Sequence, residues 1–414
     1  MPNRAAISAY LTILSGSAGR LVISLVYFLI VANRLSLADF GLFATASATG
    51  VILSRMLAFG FVSPLFRIAT VKPRLLGAYL AGFGSLSLAS LPFIAGIAAI
   101  AYVALFRERI DLLTFTMIVA AEVLGWRLVE VVAIVNNGLR RFRQAAMLVV
   151  IGAGLRTVAA LLFVASGQAN LEIWAVAYLA ATAVAAIIAF AAFLPRRRWR
   201  FSPALYPRRM KDAVHSAAAE ILFYVQSELD KLVVLAFAGE QTVGLYAIVL
   251  RIVDLTAMPV RSFNQMLVQK IMTDRSLVTG RRLAFAEIGI FAISVAGLAA
   301  IVVLLHPYPA LLGRNVAEAS YLFLPMLLVP AFRNLVEYHA ELLYAREHTG
   351  TRIALLSAIA LLKAGLIAGL MLGWPAPAQW AAGLNLVFGA VYLLSVLVTY
   401  RLLLARTARP GFAT

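Results

Sequence analysis

The chain of 414 residues contains no cysteine, which excludes disulfide bonds, thiolate nucleophiles and cysteine-based metal sites. It is also poor in charge, with 13% charged residues against 63% hydrophobic ones. A soluble domain has about 25% charged and about 45–50% apolar residues, so the soluble class is excluded. A membrane-spanning helix needs roughly 20 mostly apolar residues, and the chain has room for about a dozen of them.

Hydropathy places about twelve apolar segments along the chain. They are 8–32, 40–60, 76–105, 112–136, 144–165, 172–194, 213–238, 242–269, 283–305, 317–343, 353–373 and 379–404. The sequence thus predicts an all-α polytopic membrane protein with about 12 transmembrane helices, in two six-helix halves around a central cavity. The predicted halves are 1–195 and 212–414, joined by a basic linker, 196–211.

The formal net charge is +18, and its distribution indicates membrane topology. Nearly all basic loop residues fall on the side of the two termini, and the other side holds Arg34, Arg107, Arg109 and Arg314. Cytoplasmic loops collect Lys and Arg, so both termini are predicted to be cytoplasmic. The linker run PRRRWRFSPALYPRRMK is interpreted as contacting anionic lipid headgroups rather than nucleic acid.

A short internal repeat separates the first two segments of each half. RLSLADFGLFATAS begins at Arg34 and FAGEQTVGLYAIVL at Phe237, and both place a polar loop before a Gly-Leu-aromatic sequence. Six segments per half give both halves the same orientation, so the pattern predicts a parallel repeat. Such repeats are typical of secondary transporters with a site near the membrane midplane.

The apolar segments nevertheless contain many charged residues. The basic ones are Arg20, Arg55, Arg127, Arg156, Lys231, Arg251, Arg261, Arg333 and Lys363. The acidic ones are Glu122, Glu130, Glu220, Glu228, Asp230, Asp254, Glu287, Glu337 and Glu341. A charge at the centre of a span costs roughly 2.5–3.5 kcal/mol to insert. These side chains are therefore expected to face a bundle interior or a water-filled cavity.

Helical spacing puts many of the charges on single faces. The stripes are Ser17, Arg20, Ser24, Tyr27; Glu220, Tyr224, Ser227, Lys231; Arg251, Asp254, Met258, Arg261, Gln265; and Arg333, Glu337, Glu341, Tyr344. They are interpreted as the wall of a shared cavity. The alternative is that the charges only pair structurally, as the spacings Arg251–Asp254 and Arg333–Glu337 would allow.

The segments of the first half have a positive surplus, because they contain four basic residues and only two acidic ones, Glu122 and Glu130. Arg20, Arg55 and Arg156 have no acid in their own segments. Unless they pair across helices, they are available to an anionic ligand. The planar guanidinium group suits phosphate, because it can bind two oxygens at once.

The motifs RLSLADFGLF and DKLVVLAFAGEQTVGLY, together with the two-times-six layout, resemble the Wzx-type polysaccharide flippases. That group belongs to the superfamily that includes the MurJ lipid II flippases and the MATE exporters. The resemblance implies that the protein flips undecaprenyl-pyrophosphate-linked oligosaccharide to the periplasmic leaflet of the bacterial inner membrane by alternating access. The implied pathway is lipopolysaccharide or exopolysaccharide synthesis, with membrane lipids, a polysaccharide polymerase and glycosyltransferases as partners.

The resemblance also implies a diphosphate-binding role for arginines on the first, second and eighth segments. The predicted diphosphate-binding residues are Arg20, Arg55, Arg127, Arg156 and Arg251. Candidate proton or sodium carriers are Glu122, Glu130, Asp230, Asp254, Glu337 and Glu341, with the alternative that each only balances a nearby cation.

No enzyme, cofactor or metal is predicted. The histidines (His215, His306, His339, His348) lack metal-like spacing and are interpreted as interfacial or packing residues, and the chain has no Walker loop. One alternative is a MATE-like cation antiporter, against which the first segment has Arg20 and no acid. The others are a non-transporting membrane scaffold and a lipid-glycan enzyme, although the longest outer loop, 306–316, has no carboxylate pair.

Overall fold

The computed structural model describes residues 22–273, 280–346, 348–374 and 376–405, which form helices joined by short loops, without a β-strand among them. The helices are α1 (Val22–Arg34), α2 (Leu37–Ser54), α3 (Val62–Val71), α4 (Leu76–Ala101), α5 (Leu112–Ala120), α6 (Arg127–Gly138), α7 (Phe142–Ala165), α8 (Leu171–Ile188), α9 (Leu205–Thr273), α10 (Gly280–Leu305), α11 (Arg314–Ala319), α12 (Val329–Ala345), α13 (Thr349–Gly373) and α14 (Pro377–Ala405). Single π-helical turns follow α4, α5 and α8, at Tyr102–Phe106, Ala121–Trp126 and Ala189–Phe193.

The predicted all-α polytopic class is confirmed. Every predicted apolar segment contains helix within the described residues, and eight helical stretches there are long and apolar enough to cross a membrane. Helix α9, Leu205–Thr273, covers the seventh and eighth predicted segments. It is interrupted at Gly239, where φ is 80° and ψ is −177°, a conformation open to glycine because it has no Cβ atom.

The second predicted segment, 40–60, extends beyond the helix that forms there. Helix α2 ends at Ser54, and the chain then turns through Ala58, Phe59 and Gly60, which have φ values of 56°, 49° and 79°. The turn leads into the additional helix α3, within a stretch predicted as a loop. Hydropathy did not show this turn, because its residues are as apolar as the helix before it.

The described chain divides into two compact units. The first unit is Val22–Gly244, which comprises α1 to α8 and the first half of α9, and the second unit contains the described residues from Leu245 onward. The contacts thus place 205–244 with the first unit. The division into 1–195, 196–211 and 212–414 stays a prediction, although α9 already begins at Leu205 within the predicted linker.

An aromatic core joins α2 and α8 in the first unit. The fully buried ring of Trp174 packs edge-on against Phe43, with centroids 5.7 Å apart, and Phe43 packs edge-on against Tyr178 at 5.2 Å. Such aromatic pairs contribute about 0.5–1.5 kcal/mol beyond their area burial. This core holds α2 and α8 on either side of the π-helical turn that carries Glu122.

The two repeat motifs contact each other reciprocally inside the first unit. A Cβ atom added at Gly41 would lie 2.3 Å from the carbonyl oxygen of Glu240, and one added at Gly244 would lie 2.1 Å from the carbonyl oxygen of Leu37. Residues 37 and 240 each precede their glycine by four positions. The contact is therefore approximately two-fold symmetric, and it depends on small residues that let helix backbones approach.

Ser36 is the N-cap of α2, since its hydroxyl oxygen accepts a hydrogen bond of 3.0 Å from the backbone N–H of Asp39. Loss of such a cap costs about 1 kcal/mol. We therefore expect Ser36→Ala to lower the thermal unfolding temperature of the purified protein slightly, and Ser36→Asp to restore it. Equal unfolding temperatures for all three proteins would contradict this.

Candidate functional site

Two arginines and two glutamates form a compact network inside the first unit, which we call the four-charge network (Arg55, Arg127, Glu130, Glu220). Arg55, directly after α2, binds Glu130 with both terminal nitrogens, at 2.7 and 3.2 Å. Arg127 binds Glu220 in the same way, at 2.9 and 3.1 Å. Two further ion pairs complete the network, with N–O distances of 3.0 Å from Arg55 to Glu220 and 3.2 Å from Arg127 to Glu130.

The network is neutral and largely shielded. The side chains of Arg55 and Arg127 are 4% and 0% exposed, whereas those of Glu130 and Glu220 are 25% and 35% exposed. The guanidinium carbon of Arg55 lies 3.9 Å from the ring centroid of Tyr224, one turn after Glu220 on α9. The geometry satisfies the condition for burying charge, which is pairing with hydrogen bonds.

The prediction that Arg55 is available to an anion therefore does not hold in this structure. Arg55 does pair across helices, and Glu220, from the seventh predicted segment, supplies the carboxylate that offsets the predicted positive surplus. Sequence analysis did not select Glu220 as a site residue. The signal was present, however, because the stripe with Glu220 and Tyr224 correctly placed both on one face.

A second polar cluster surrounds Glu122 in the π-helical turn after α5. Its carboxylate Oε1 accepts hydrogen bonds of 2.6 Å from the hydroxyls of Ser47 on α2 and Tyr178 on α8. Helix α2 approaches this closely because it has a glycine there: a Cβ atom at Gly50 would lie 2.8 Å from the Glu122 Cβ. Single π-turns occur frequently at functional sites.

Arg156 on α7 lies beside this cluster and is held mainly by aromatic rings. Its guanidinium carbon is 3.8 Å from the Trp126 ring and 5.6 Å from the Tyr27 ring. Cation–π contacts of this kind contribute about 0.5–2 kcal/mol. The buried Nε atoms of Arg156, Arg55 and Arg127 all lack a hydrogen-bond partner. Arg156 differs from the other two in its terminal nitrogens, because among the described residues none of the ion pairs within 4 Å involves Arg156, although the charge of Glu122 is near enough to interact with it.

The remaining predicted residues of the first unit have local partners. Lys231 binds Glu228 one helical turn earlier, and a carboxylate oxygen of the buried Asp230 accepts the backbone N–H of Lys231. Arg20 lies outside the described residues.

In the second unit, the predicted polar stripes of α9 and α12 meet. Arg333 binds Asp254 at 3.2 Å, and Arg261 binds Glu337 through Nε at 3.1 and 3.2 Å. The two helices are thus paired across their interface, beyond the within-helix pairs that spacing alone suggested. Glu341 binds Arg352 on α13 at 3.2 Å. Arg251 is partly buried and has polar or electrostatic contacts.

A buried cluster around His339 was missed by sequence analysis. Its two ring nitrogens lie 2.7 Å from Glu287 Oε1 and 2.7 Å from the Ser395 hydroxyl. Tyr392 and Tyr400 also donate to Glu287. His339 was interpreted as an interfacial or packing residue, and Glu287 was not among the predicted site residues. The cluster draws on three helices far apart in sequence, so no local spacing reveals it.

Comparison with known proteins finds similarity at the level of fold. A structure of the lipid II flippase MurJ in an inward closed conformation matches with a TM-score of 0.71 and 12% identity, over 97% of this chain and 94% of that one. An inward-facing multidrug resistance MATE family transporter of the MOP superfamily matches with a TM-score of 0.68 and 15% identity, over 95% and 96%. A mutant of a Vibrio cholerae MATE transporter matches with a TM-score of 0.55 and 12% identity, over 96% and 96%.

Neither a protein-family model nor a curated protein matches the sequence. The structural matches span nearly the whole chain and include both MurJ and MATE structures. The chain therefore has the helical fold shared by these proteins, as the sequence resemblance implied.

Proposed function

We propose that this protein is a transporter that flips undecaprenyl-pyrophosphate-linked oligosaccharide from the cytoplasmic to the periplasmic leaflet of the bacterial inner membrane. It acts by alternating access, for cell-surface polysaccharide synthesis, and both termini are cytoplasmic. The fold and the segregation of basic loop residues support this proposal. Glycosyltransferases would supply the lipid-linked glycan, and a polysaccharide polymerase would consume it.

The observation that carries the proposal is the state of Arg156. A guanidinium group inside a membrane protein is costly unless it has a partner or a ligand. Arg156 has ring contacts at 3.8 and 5.6 Å and the charge of Glu122 nearby, and among the described residues it forms no ion pair within 4 Å of the kind that binds Arg55 and Arg127. A diphosphate would supply the oxygens that match its planar donors.

Within this proposal the predicted arginines have different roles. Arg156 is a proposed diphosphate ligand, together with Arg251 and with Arg20, which lies outside the described residues. Arg55 and Arg127 bind phosphate through their terminal nitrogens only if the substrate competes with Glu130 and Glu220, since those carboxylates already occupy these nitrogens. We therefore propose that the four-charge network has a structural role, in which its ion pairs hold α2, α6 and α9 together.

The test is export in cells that lack their own copy of the protein. We expect Arg156→Ala to abolish surface polysaccharide and to accumulate lipid-linked glycan on the cytoplasmic face. Arg156→Lys should retain partial export, because lysine keeps the charge and loses the two-oxygen geometry. The matched control is Arg209→Ala, an exposed arginine of the same unit, which should export normally. Normal export by Arg156→Ala, at equal protein level, would contradict the proposal.

A MATE-like cation antiporter is the second candidate, and the buried carboxylate of Glu122 favours it, since a cationic substrate needs an interior anion. The two candidates differ in what the purified protein moves in liposomes. Efflux of a cationic dye that Glu122→Gln abolishes, without movement of lipid-linked glycan, would establish the antiporter instead.

A further inference from the structure

Three helices of the second unit meet around His339: α10 through Glu287, α12 through His339 itself, and α14 through Tyr392, Ser395 and Tyr400. The His339 side chain is fully buried, whereas the Glu287 side chain is 15% exposed. The imidazole stacks on the Tyr392 ring with an interplanar angle of 14°. The carboxylate is thus the accessible end of the cluster and the imidazole its inner end.

The hydrogen bonds of this cluster depend on where the Ser395 hydroxyl directs its proton. The hydroxyl oxygen lies 2.8 Å from the Tyr392 carbonyl oxygen and 2.7 Å from His339 Nδ1. If the proton points to the carbonyl oxygen, the Ser395 oxygen accepts from an N–H on Nδ1, and if it points to Nδ1, that nitrogen carries no proton. Both tyrosine hydroxyls donate to Glu287, one to each carboxylate oxygen.

In both arrangements His339 Nε2–H donates to Glu287 Oε1 at 2.7 Å. The arrangements differ by one proton, which lies on Nδ1 in the first and is absent in the second. With that proton present, an imidazolium faces a carboxylate and the pair is neutral. Without it, the imidazole is neutral and the cluster retains the negative charge of Glu287, which is costly in a membrane interior.

The groups around the pair are apolar or engaged in other contacts. The Tyr338 ring lies 5.7 Å from the imidazole, and Val260 and Phe263 of α9 belong to the apolar core that contains Tyr338 and contacts Tyr392 and Tyr400. Arg346, directly after α12, is partly buried and has polar or electrostatic contacts. The charged groups of adjoining helices are bound as Arg261–Glu337, Arg333–Asp254 and Arg352–Glu341, with Lys363 5.9 Å from the Phe388 ring and Arg281, Arg282 and Arg401 exposed.

We propose that Glu287 and His339 form a binding site for a single proton. Uptake of this proton strengthens the contact of α10 with α12 and α14 during transport, and its release weakens that contact. The coupling rests on the proposed function, whereas proton binding does not. The ligand is a proton rather than a metal ion, since the described residues contain no group of three acidic or histidine side chains placed to hold a metal. None of the sequence-predicted ion carriers belongs to this site.

Proton binding is tested on the full-length protein in detergent, labelled with ¹⁵N-histidine. At neutral pH we expect the imidazole signal that disappears in His339→Gln to show N–H protons on both ring nitrogens. Glu287→Gln removes the compensating charge and should leave one N–H. Glu318→Gln, the same change at an exposed carboxylate of the same unit, should leave both. A single N–H in the wild-type protein, or two in Glu287→Gln, would overturn the proposal.

Coupling is tested in liposomes with undecaprenyl-pyrophosphate-linked oligosaccharide. Glu287→Gln should still move substrate down its own gradient and should lose the acceleration that a proton gradient gives, whereas Glu318→Gln should keep both. Wild-type flux that ignores the proton gradient would refute the coupling. Absence of any wild-type flux would instead refute the proposed function, while the two N–H protons of His339 would still establish the proton site.

Discussion

Arg127→Ala should destabilise the protein by about 3–5 kcal/mol, which is the usual cost of removing one partner from a buried ion pair. The Arg127 side chain is fully buried, and both of its terminal nitrogens bind Glu220. Its loss leaves Arg55 facing two carboxylates, so the network becomes negative. The measurement is thermal unfolding of the purified protein in detergent, with the exposed Arg209→Ala protein as control, for which we expect almost no change.

A double replacement separates lost charge from lost packing. Arg127→Leu combined with Glu220→Leu removes one cation and one anion and leaves the pair Arg55–Glu130 intact. Because apolar replacement of a whole buried pair is often neutral or stabilising, the double variant should recover most of the unfolding temperature that either single variant loses. Additive losses from the two changes would mean that the charges do not interact in the folded protein.

Gly244→Ala should also destabilise the protein clearly, although it adds only one carbon atom. That atom would lie 2.1 Å from the backbone carbonyl oxygen of Leu37, and a backbone atom cannot rotate away as a side chain can. The helices must then separate, at a cost of about 1–3 kcal/mol or more. Gly41→Ala should behave alike, because its added atom would meet the carbonyl oxygen of Glu240 at 2.3 Å.

The chain provides a matched control for this change. Gly154 is also a helical glycine of the first unit, and a Cβ atom there would meet nothing within 4 Å. We expect Gly154→Ala to be neutral or to stabilise α7 by about 0.5–1 kcal/mol, since alanine favours helix more than glycine does. If Gly154→Ala and Gly244→Ala shifted the unfolding temperature equally, the close contact between the repeat motifs would be refuted.

Much of the fold could be read from the sequence because hydropathy is a local property. The long apolar segments correspond to helices, and the repeat glycines Gly41 and Gly244, found from a short motif, meet in the structure. The exceptions share a cause. Helix α3 and the turn at Ala58 and Phe59 depend on backbone angles and on the hydroxyl of Ser90, which accepts the Ala58 N–H, and apolar composition records neither.

The candidate site could be read only in part. Periodicity placed Glu220 and Tyr224 on one face, and both contact Arg55. It did not show which carboxylate each arginine binds, because that depends on the rotation of each helix and on the neighbour it packs against. The Glu287–His339 link shows the same limit, since its partners lie on different helices with no fixed spacing between them.

The sequence by itself determined that this is a polytopic helical membrane protein with charges directed inward, since a bilayer admits long apolar helices and penalises charge that faces lipid. Only the tertiary structure decided how those charges are used. It binds Arg55 and Arg127 to carboxylates, leaves Arg156 among aromatic rings, and joins Glu287 to His339. The physical reason is range: hydropathy acts residue by residue along a helix, whereas a hydrogen bond forms only between atoms that packing brings within about 3 Å.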